Sequence, residues 1–287
     1  MIKKEYHEGT LKMLEESRNE TKPCFHNILG HDFIVLPGVF SPRYFKDTEF
    51  FAGEVPKYVR GKSFLEIGSG TGIISCMVLA GSRIESYKRP ISENVVAVDI
   101  NEKAVKNTFL NSLLILGIEK YNVKTRKDND DVPWWVNVDL GGCGDNFSGL
   151  IKFEGTFGAR TGISVRQGDV YSPIPSYEEK FDTIFWNIPF GNYDDGTVSG
   201  DVLKQAVFDP EHRNLERYIA GAGEHLTENG SLLIGYSTTL GDYEVLEKLL
   251  KEHNMEPAKL LAESGYVREG NPSKPVKFEL FESMVKK

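Results

Sequence analysis

The sequence predicts an α/β protein in which helices cover both faces of a mostly parallel sheet. Three observations support this prediction. From residue 63 onward, short apolar runs alternate with amphipathic runs, as in consecutive strand–helix units. The first apolar run leads into a glycine-rich turn, and an acidic residue lies at the end of each of the first three strands. The last two apolar runs have no helix between them, which predicts an antiparallel hairpin at one edge.

The individual elements follow from the periodicity of apolar residues. We predict strands at 63–67, 94–100, 162–170, 181–186, 231–236, about 258–266 and about 277–284. We predict helices at 73–80, 102–116, 215–226 and 243–253. Asn229-Gly230 is expected to end the third of these helices, and Gly270-Asn271-Pro272 predicts the turn of the closing hairpin.

The first 57 residues lie outside this alternation. Residues 3–20 carry apolar residues among charges in a pattern typical of an amphipathic helix. Residues 21–57 hold short apolar pieces broken by prolines and glycine, which predict one or two short strands or turns. We therefore divide the chain into a lead-in segment at 1–57, expected to cover the active site, and a main domain at 58–287.

One connection of the main domain is unusually long. About 45 residues separate the helix that ends near Leu116 from the strand that begins at Gly162. We predict an inserted β-hairpin or flap at about 118–161. Trp134-Trp135 could stack on a flipped base, line a pocket or form the core of the insertion. The neighbouring acidic run Asp128–Asp131 would repel phosphates, which favours the core of the insertion or a substrate other than nucleic acid.

Composition narrows the functional classes. The net charge of -8 and the pI of about 5.4 disfavour a partner bound through its phosphates, so nucleic acid is the less favoured substrate. Three scattered cysteines and six scattered histidines predict neither a disulfide framework nor a metal site. No apolar run approaches the roughly 20 residues of a membrane span. We therefore expect a cytoplasmic protein without a membrane segment.

The segment Glu66–Gly72 predicts a cofactor loop between a strand and a helix. Its glycines are spaced G-x-G-x-G, and glycine allows both a tight turn and a close approach of a ligand to the backbone. The dinucleotide fingerprint is absent because Ile73 stands where its third glycine would be. Glu66 would repel a diphosphate but would accept a cationic amino-acid tail.

Two further acids follow the next two strands. Asp99 can accept the two hydroxyls of a ribose, and Asp169 ends the third strand. Ligands of open α/β sheets bind at the carboxyl ends of the strands, where these acids are expected to meet. Each acid could instead cap the helix that follows it. Three acids in order, behind the glycine turn, favour the ligand site.

These segments resemble the first three motifs of class I S-adenosylmethionine-dependent methyltransferases: Glu66–Gly72, then Val98–Asn101 with Ala104 and Asn107, then Gly168–Val170. The resemblance implies a Rossmann-like, mostly parallel seven-stranded sheet with a C-terminal antiparallel hairpin and helices on both faces. It also implies S-adenosylmethionine as the cofactor. The residues implied to bind it are Glu66, Gly68, Ser69, Gly70, Gly72, Asp99, Ile100, Asp169, Val170 and Asn187.

The fourth strand leads into Asn187-Ile188-Pro189-Phe190. This segment resembles the (Asn/Asp/Ser)-Pro-Pro-(Tyr/Phe) motif of methyltransferases that act on planar amino groups, although isoleucine replaces the first proline. The same departure resembles rRNA adenine dimethylases. We predict that the side-chain oxygen of Asn187 and the carbonyl of Ile188 each accept one N–H of the acceptor amine. Pro189 stiffens the turn, and Phe190 stacks on the planar substrate.

The alternative is a strand end stopped by proline, with an apolar residue packed beneath it. The position at the end of the fourth strand favours the functional interpretation. The two arginines of the following helix, Arg213 and Arg217, are expected to lie on a solvated face.

The lead-in segment bears on the substrate. Leu36–Arg43 and Asp47–Glu49 resemble the segment before the first motif in HemK-like release-factor glutamine methyltransferases, with one proline replaced and a longer spacing. The helical recruiting domain of that family does not fit before residue 58. An ordinary proline-rich loop is the alternative.

Four functions follow from these patterns. The favoured one is an N-methyltransferase that acts on an amide or aryl amine of a protein side chain or small molecule. The second is an rRNA or tRNA base methyltransferase of the adenine-N6 type. The third is a non-catalytic module that binds S-adenosylmethionine or another metabolite. A nicotinamide dehydrogenase is disfavoured by the glycine spacing.

Overall fold

The computed structural model describes residues 2–81, 92, 94–115, 149–154, 160–175, 179–265 and 276–287. The predicted features at Asp128–Asp131, Trp134-Trp135 and Gly270–Pro272 lie outside the described residues. The helices are α1 (Ile2–Arg18), α2 (Asp47–Tyr58), α3 (Ile73–Ala80), α4 (Glu102–Ile115), α5 (Val202–Gln205), α6 (Arg213–His225) and α7 (Tyr243–Glu252). The strands are β1 (Cys24–Ile28), β2 (His31–Val35), β3 (Ser63–Ile67), β4 (Asn94–Asp99), β5 (Gly149–Glu154), β6 (Arg160–Gln167), β7 (Phe181–Asn187), β8 (Leu226–Tyr236), β9 (Lys259–Glu263) and β10 (Glu279–Ser283).

Eight strands form the main sheet in the order β5-β6-β4-β3-β7-β8-β10-β9. The five strands from β6 to β8 run parallel, and β10 pairs antiparallel with both β8 and β9. The predicted mostly parallel seven-stranded sheet with a C-terminal antiparallel hairpin is therefore confirmed. The eighth strand, β5, comes from the predicted insertion and pairs antiparallel with β6 at the edge.

The central strands are apolar along most of their length because the sheet is covered on both sides. Val95–Val98 of β4 are fully buried, and so are Phe64 and Leu65 of β3. Strands buried on both faces show a continuous apolar run instead of an alternation, as the sequence does here. Among the helices around the sheet, α3 packs between α2 and α4, and α6 contacts α7.

Strands β1 and β2 agree with the short strands predicted within 21–57, but helix α2 was not predicted there. The prolines of this segment indicated turns, yet Pro56 lies inside the last turn of α2. The helix forms because Phe51, Ala52 and Val55 share one face and are fully buried against the main domain. Tertiary packing thus outweighs the local proline signal.

Two boundaries also differ. Helix α6 ends at His225, and β8 starts at once with Leu226 and runs through Asn229-Gly230. Gly230 does not break the strand. Instead it permits close pairing, because a Cβ there would lie 2.8 Å from the carbonyl oxygen of Phe181 on the neighbouring strand.

The lead-in segment is attached to the main domain by two fully buried asparagines of α4. Asn107 accepts the Leu36 N–H at 2.7 Å and donates to the Ile34 carbonyl at 2.8 Å. Asn111 accepts the Ile34 N–H at 2.8 Å and donates to the carbonyls of Ile34 and Thr71. These amides provide β2 with hydrogen bonds that a neighbouring strand would otherwise supply. Over the residues with described structure, no helix is long and apolar enough to cross a membrane.

Candidate functional site

A cleft of about 1040 Å³, counting space open to solvent, lies at the carboxyl ends of the parallel strands. It brings together most of the site residues predicted from sequence: Glu66, Gly68, Ser69, Gly70, Asp99, Ile100, Asp169, Val170, Asn187 and Pro189. Gly72, Ile188 and Phe190 do not line it.

The three glycines of the loop have positive φ, but the atoms that surround them differ. A Cβ on Gly68 would overlap the indole of Trp186, and a Cβ on Gly72 would lie 2.6 Å from the Thr108 side chain. The position of Gly70 is open, with the Cβ of Phe40 as the nearest atom at 4.0 Å. Gly70 therefore leaves room for a ligand, whereas Gly68 and Gly72 permit close packing of the loop on the protein.

Glu66 is buried beneath the loop. Its Oε2 accepts hydrogen bonds from both the backbone N–H and the hydroxyl of Ser75 on α3. Burial raises the pKa of Glu66 to about 8, and the nearby charge of Asp99 adds to this rise. The carboxyl group therefore holds a proton near neutral pH, and a cation placed beside it would favour the charged form.

Asp99 connects the end of β4 to the loop. Its Oδ2 accepts the Gly70 N–H at 2.7 Å, and its Oδ1 accepts the Asn101 N–H at 2.8 Å. Burial raises the pKa of Asp99 to about 6, so it is mostly ionised at neutral pH. A carboxylate has about four lone-pair sites, so both oxygens can still accept hydroxyl groups of a ligand.

Asp169 lies at the mouth of the cleft and is half-exposed. Its two oxygens pair with the guanidinium of Arg217 at 3.0 and 2.9 Å. The sequence predicted only a solvated face for Arg217, so this contact was missed. The pairing depends on α6 passing over the end of β6, which no local pattern indicates.

Asn187 ends β7 at the opposite side of the cleft. Its Nδ2 donates to the Asp47 carboxylate at 2.7 Å. Its Oδ1 is buried and has no hydrogen-bond partner among the described residues. The site therefore contains a buried acceptor atom that no described group satisfies, at the position where the sequence predicts contact with an amine.

Phe190 lies in the core instead of the cleft. Its side chain is 6% exposed, and its ring centroid lies 6.2–6.3 Å from those of Tyr6, Tyr236 and Phe278. Stacking on a substrate from this position would require Tyr6 of α1 to move. Ile188 is also buried, and its N–H bonds the Gly235 carbonyl at 3.1 Å.

The cleft includes residues that sequence reasoning did not select. They come from the lead-in segment and from α5 and its surroundings: Phe40, Thr48, Val202, Leu203, Gln205, Ala206 and Asn214. None of these side chains is charged, and their polar groups are a hydroxyl and two carboxamides. Phe40 and Thr48 fall in the stretch that resembles the HemK-like family, while α5 carries no motif.

Among the residues described, no cluster of histidine, cysteine and acidic side chains could hold a metal ion.

No family model and no curated protein matches this sequence. Solved structures share its fold. One is the 16S rRNA N2 G1207 methyltransferase RsmC of T. thermophilus in complex with AdoMet and guanosine, 16% identical with a TM-score of 0.51. Another is Trm5 of Methanocaldococcus jannaschii in complex with adenosine, 13% identical with a TM-score of 0.52.

The alignment with RsmC covers 92% of this chain and 50% of that protein, and the alignment with Trm5 covers 94% and 58%. The chain thus spans about half the length of these two proteins. The ribosomal protein L11 methylase of Lactobacillus delbrueckii subsp. bulgaricus is 14% identical, over 88% of this chain and 84% of that one, with a TM-score of 0.47. At such identities the likeness shows the fold alone, which is the Rossmann-like fold of class I methyltransferases.

Proposed function

We propose that the protein is an S-adenosylmethionine-dependent N-methyltransferase whose acceptor is an amide or aryl amine of a protein side chain or small molecule. The buried, unpartnered Oδ1 of Asn187 is the observation that carries the proposal. A buried acceptor without a donor costs about 1–3 kcal/mol. An N–H of a ligand in the cleft would remove that cost.

The residues of the opposite end fit the cofactor. Glu66 would face its cationic amino-acid end, and the open position at Gly70 would let it approach the backbone. Asp99 would accept the ribose hydroxyls, and Asp169 would lie beside the adenine amine. When bound, S-adenosylmethionine supplies a methyl group activated by its positive sulfur.

The chain's own contribution is to hold and orient the acceptor nitrogen. Asn187 Oδ1 would accept one N–H, and the carbonyl of Ile188 would accept the other. Holding both protons favours a pyramidal nitrogen whose lone pair is free to react. Orientation of this kind supplies most of the rate gain, so no strong base is required. The proton that the nitrogen loses passes to water.

The division of the chain agrees with this assignment. Phe40 and Thr48 of the lead-in segment, 1–57, line the cleft, and the main domain, 58–287 with its insertion at about 118–161, supplies Glu66, Gly70, Asp99 and Asn187. The net charge of -8 favours a protein or small-molecule acceptor over an RNA. The sparse cysteines agree with action in the cytoplasm.

The nucleobase alternative uses the same acceptor chemistry, because the exocyclic amine of a base is also planar and also offers two N–H groups. A base methyltransferase would therefore rely on Asn187 in the same way. The Asn187–Phe190 resemblance to rRNA adenine dimethylases is the observation that favours it.

Radiolabelled S-adenosylmethionine distinguishes these functions. The protein is incubated with the cofactor and with separated RNA, protein and small-molecule fractions of a lysate. We expect label in the protein or small-molecule fraction, and label in RNA alone would select the base methyltransferase. Cofactor binding measured by calorimetry without any label would select the non-catalytic module, and absence of binding would overturn the proposal.

The Asn187→Ala variant tests the acceptor assignment. We expect labelling to fall by about 10²–10³-fold, a loss comparable to that of one preorganised hydrogen-bonding group. The dissociation constant of the cofactor should change by less than about threefold. Labelling at the wild-type rate would show that Asn187 does not hold the acceptor.

A further inference from the structure

We propose that Asp47 is the positioning residue of the acceptor site: its buried carboxylate holds the Asn187 amide so that Oδ1, and not the NH₂ group, faces the acceptor. This inference rests on the proposed function and names what aims its acceptor group. The two residues are 140 positions apart in the chain.

The hydrogen bonds of Asp47 leave it a single arrangement. The side chain is 4% exposed at the first residue of α2. Its Oδ2 accepts the Asn187 Nδ2 hydrogen at 2.7 Å, and its Oδ1 accepts the Thr48 N–H at 2.9 Å. In this arrangement both oxygens of Asp47 act as acceptors. Burial raises the pKa of Asp47, and the hydrogen bond from Asn187 opposes that rise by stabilising the charged form.

A carboxamide has an acceptor end and a donor end of nearly the same shape. Rotation by half a turn about the Cβ–Cγ bond of Asn187 would exchange Oδ1 and Nδ2 with little change in packing. The exchange would place two acceptor oxygens, one from each residue, against each other. A carboxylate at position 47 therefore excludes the wrong orientation, whereas a neutral partner would allow both.

Helix α2 holds Asp47 firmly enough to do this. Phe51 lies one turn further along the buried face of α2 and is fully buried. Its ring packs 5.8 Å from that of Phe185 on β7, the strand that ends at Asn187. The element that carries the carboxylate is thus packed directly on the strand that carries the amide. The neighbouring Thr48 lines the cleft, so the same helix end also supplies part of the acceptor wall.

Exchanging the two side chains tests the pair. In the Asp47→Asn variant a single oxygen at position 47 remains for two donors, the Thr48 N–H and Asn187 Nδ2. The new NH₂ group can donate to Asn187 Oδ1 once the Asn187 amide has rotated by half a turn. The Asn187→Asp variant places two carboxylates against each other. The double variant restores the pattern, because an amide at 47 donates to a carboxylate at 187 whose other oxygen faces the acceptor. If Asp47 made only a structural contact, the double variant would not rescue the effect of the single variants.

The measurement needs no knowledge of the acceptor. Sinefungin carries an amine where the cofactor carries its transferable methyl, while S-adenosylhomocysteine has neither group. The ratio of their dissociation constants, measured by calorimetry, reports whether an acceptor atom faces the site of transfer. We expect the wild-type protein to favour sinefungin by about tenfold, in the range of one charge-assisted hydrogen bond.

The Asp47→Asn variant should lower this preference to near one, and the double variant should recover it to within about threefold of wild type. Affinity for S-adenosylhomocysteine should stay within about twofold in all variants, because the cofactor end is untouched. Glu49→Gln is the matched control, since it removes an equal charge from an exposed site on the same helix and should leave the preference unchanged.

An unchanged preference in Asp47→Asn, with S-adenosylhomocysteine still bound, overturns the role of Asp47 alone. A preference lost in the single variant and not regained in the double variant overturns it as well. Failure of the wild-type protein to bind S-adenosylhomocysteine refutes the proposed function and this inference with it. Melting curves show whether each variant folds. If Asp47→Asn does not fold, Asp47→Ala replaces it. The Asn187 amide is then free to rotate, which should reduce the preference for sinefungin at least threefold.

Discussion

The two ends of the cleft satisfy their polar groups in different ways. At the cofactor end, Glu66 and Asp99 accept hydrogen bonds from Ser75 and from backbone N–H groups of the loop. At the acceptor end, Asn187 gives its NH₂ group to Asp47 and leaves its Oδ1 without a partner among the described residues. The first end is complete without a ligand, whereas the second needs a donor from outside to satisfy its buried oxygen.

This contrast has a structural origin. The cofactor end is built by one strand–turn–helix unit and the strand beside it, so its groups are close in the chain. The acceptor end combines α2 and β7, which meet only when the whole domain is folded. Variants at the two ends should therefore separate cofactor binding from acceptor positioning.

The largest effect is expected at Gly70. In Gly70→Ala the added methyl has no protein atom closer than 4.0 Å but occupies space needed by the cofactor. Affinity for S-adenosylmethionine, measured by calorimetry, should fall by about a hundredfold or more, as expected for an overpacked site. Positive φ at this position should also cost about 1 kcal/mol of unfolding free energy.

Gly196→Ala is its control, because Gly196 also has positive φ and no atom lies within 4 Å of an added Cβ. It should show the same loss of stability and normal cofactor affinity. Equal affinities in the two variants would mean that the cofactor does not pass Gly70.

The next effect concerns the attachment of the lead-in segment. Asn111→Ala removes hydrogen bonds to both backbone groups of Ile34 and to the Thr71 carbonyl of the loop. The Ile34 N–H and the Thr71 carbonyl lose their amide partner, while the Ile34 carbonyl keeps its bond from Asn107. The free energy of unfolding should therefore fall by about 2–3 kcal/mol. Denaturant titration measures this loss. Asn27→Ala, at an exposed position near the end of β1, should cost less than about 1 kcal/mol, and equal losses would contradict the role of Asn111.

A pH dependence of cofactor affinity should follow from Asp99. Its pKa in the empty protein is about 6, and hydroxyl binding requires the ionised form. Lowering the pH from 7 to 5 should therefore weaken binding by about tenfold through this group. Calorimetry at the two pH values tests this. In Asp99→Asn the tenfold weakening of binding between pH 7 and pH 5 should disappear. A dependence of the same size in the variant would assign it to another group.

The same shifts predict the pH dependence of stability. The folded-state pKa values of Asp99 and Glu66 are raised above their ordinary 3.8 and 4.5, to about 6 and about 8. The contribution of these two carboxyl groups to the free energy of unfolding is complete at pH values below their ordinary pKa values. It is lost as pH rises through about 6 for Asp99 and about 8 for Glu66.

The smallest effect is expected at Arg217. Its pair with Asp169 is half-exposed, so Arg217→Ala should change the free energy of unfolding by less than about 1 kcal/mol. It also frees the carboxylate, so cofactor affinity should rise by about two- to threefold. Arg213→Ala breaks the exposed pair with Glu211 and should not alter affinity. Weaker binding in Arg217→Ala would mean that the arginine holds Asp169 in place.

Much of the cofactor end could be predicted because its signals are local. The apolar run 63–67, the glycine turn and the helix 73–80 all follow from residues adjacent in the chain, and the structure has the same bounds. The acids Asp99 and Asp169 follow from their positions after strands, since parallel strands end at one edge.

The acceptor end could not be predicted in the same way, because its groups are brought together by long-range packing. Helix α2 forms where prolines indicated turns, since burial of Phe51 and Val55 compensates for the weak local propensity. Phe190, predicted to face a substrate, enters the core because α1 supplies Tyr6 against it.

Local order along the chain was therefore enough to place the loop and the ends of the strands. The partner of Asn187 and the orientation of its amide depend on a contact across 140 positions, which exists only when α2 packs on β7. Periodicity and spacing describe which residues can share an element, but hydrogen-bond donors and acceptors are matched in three dimensions.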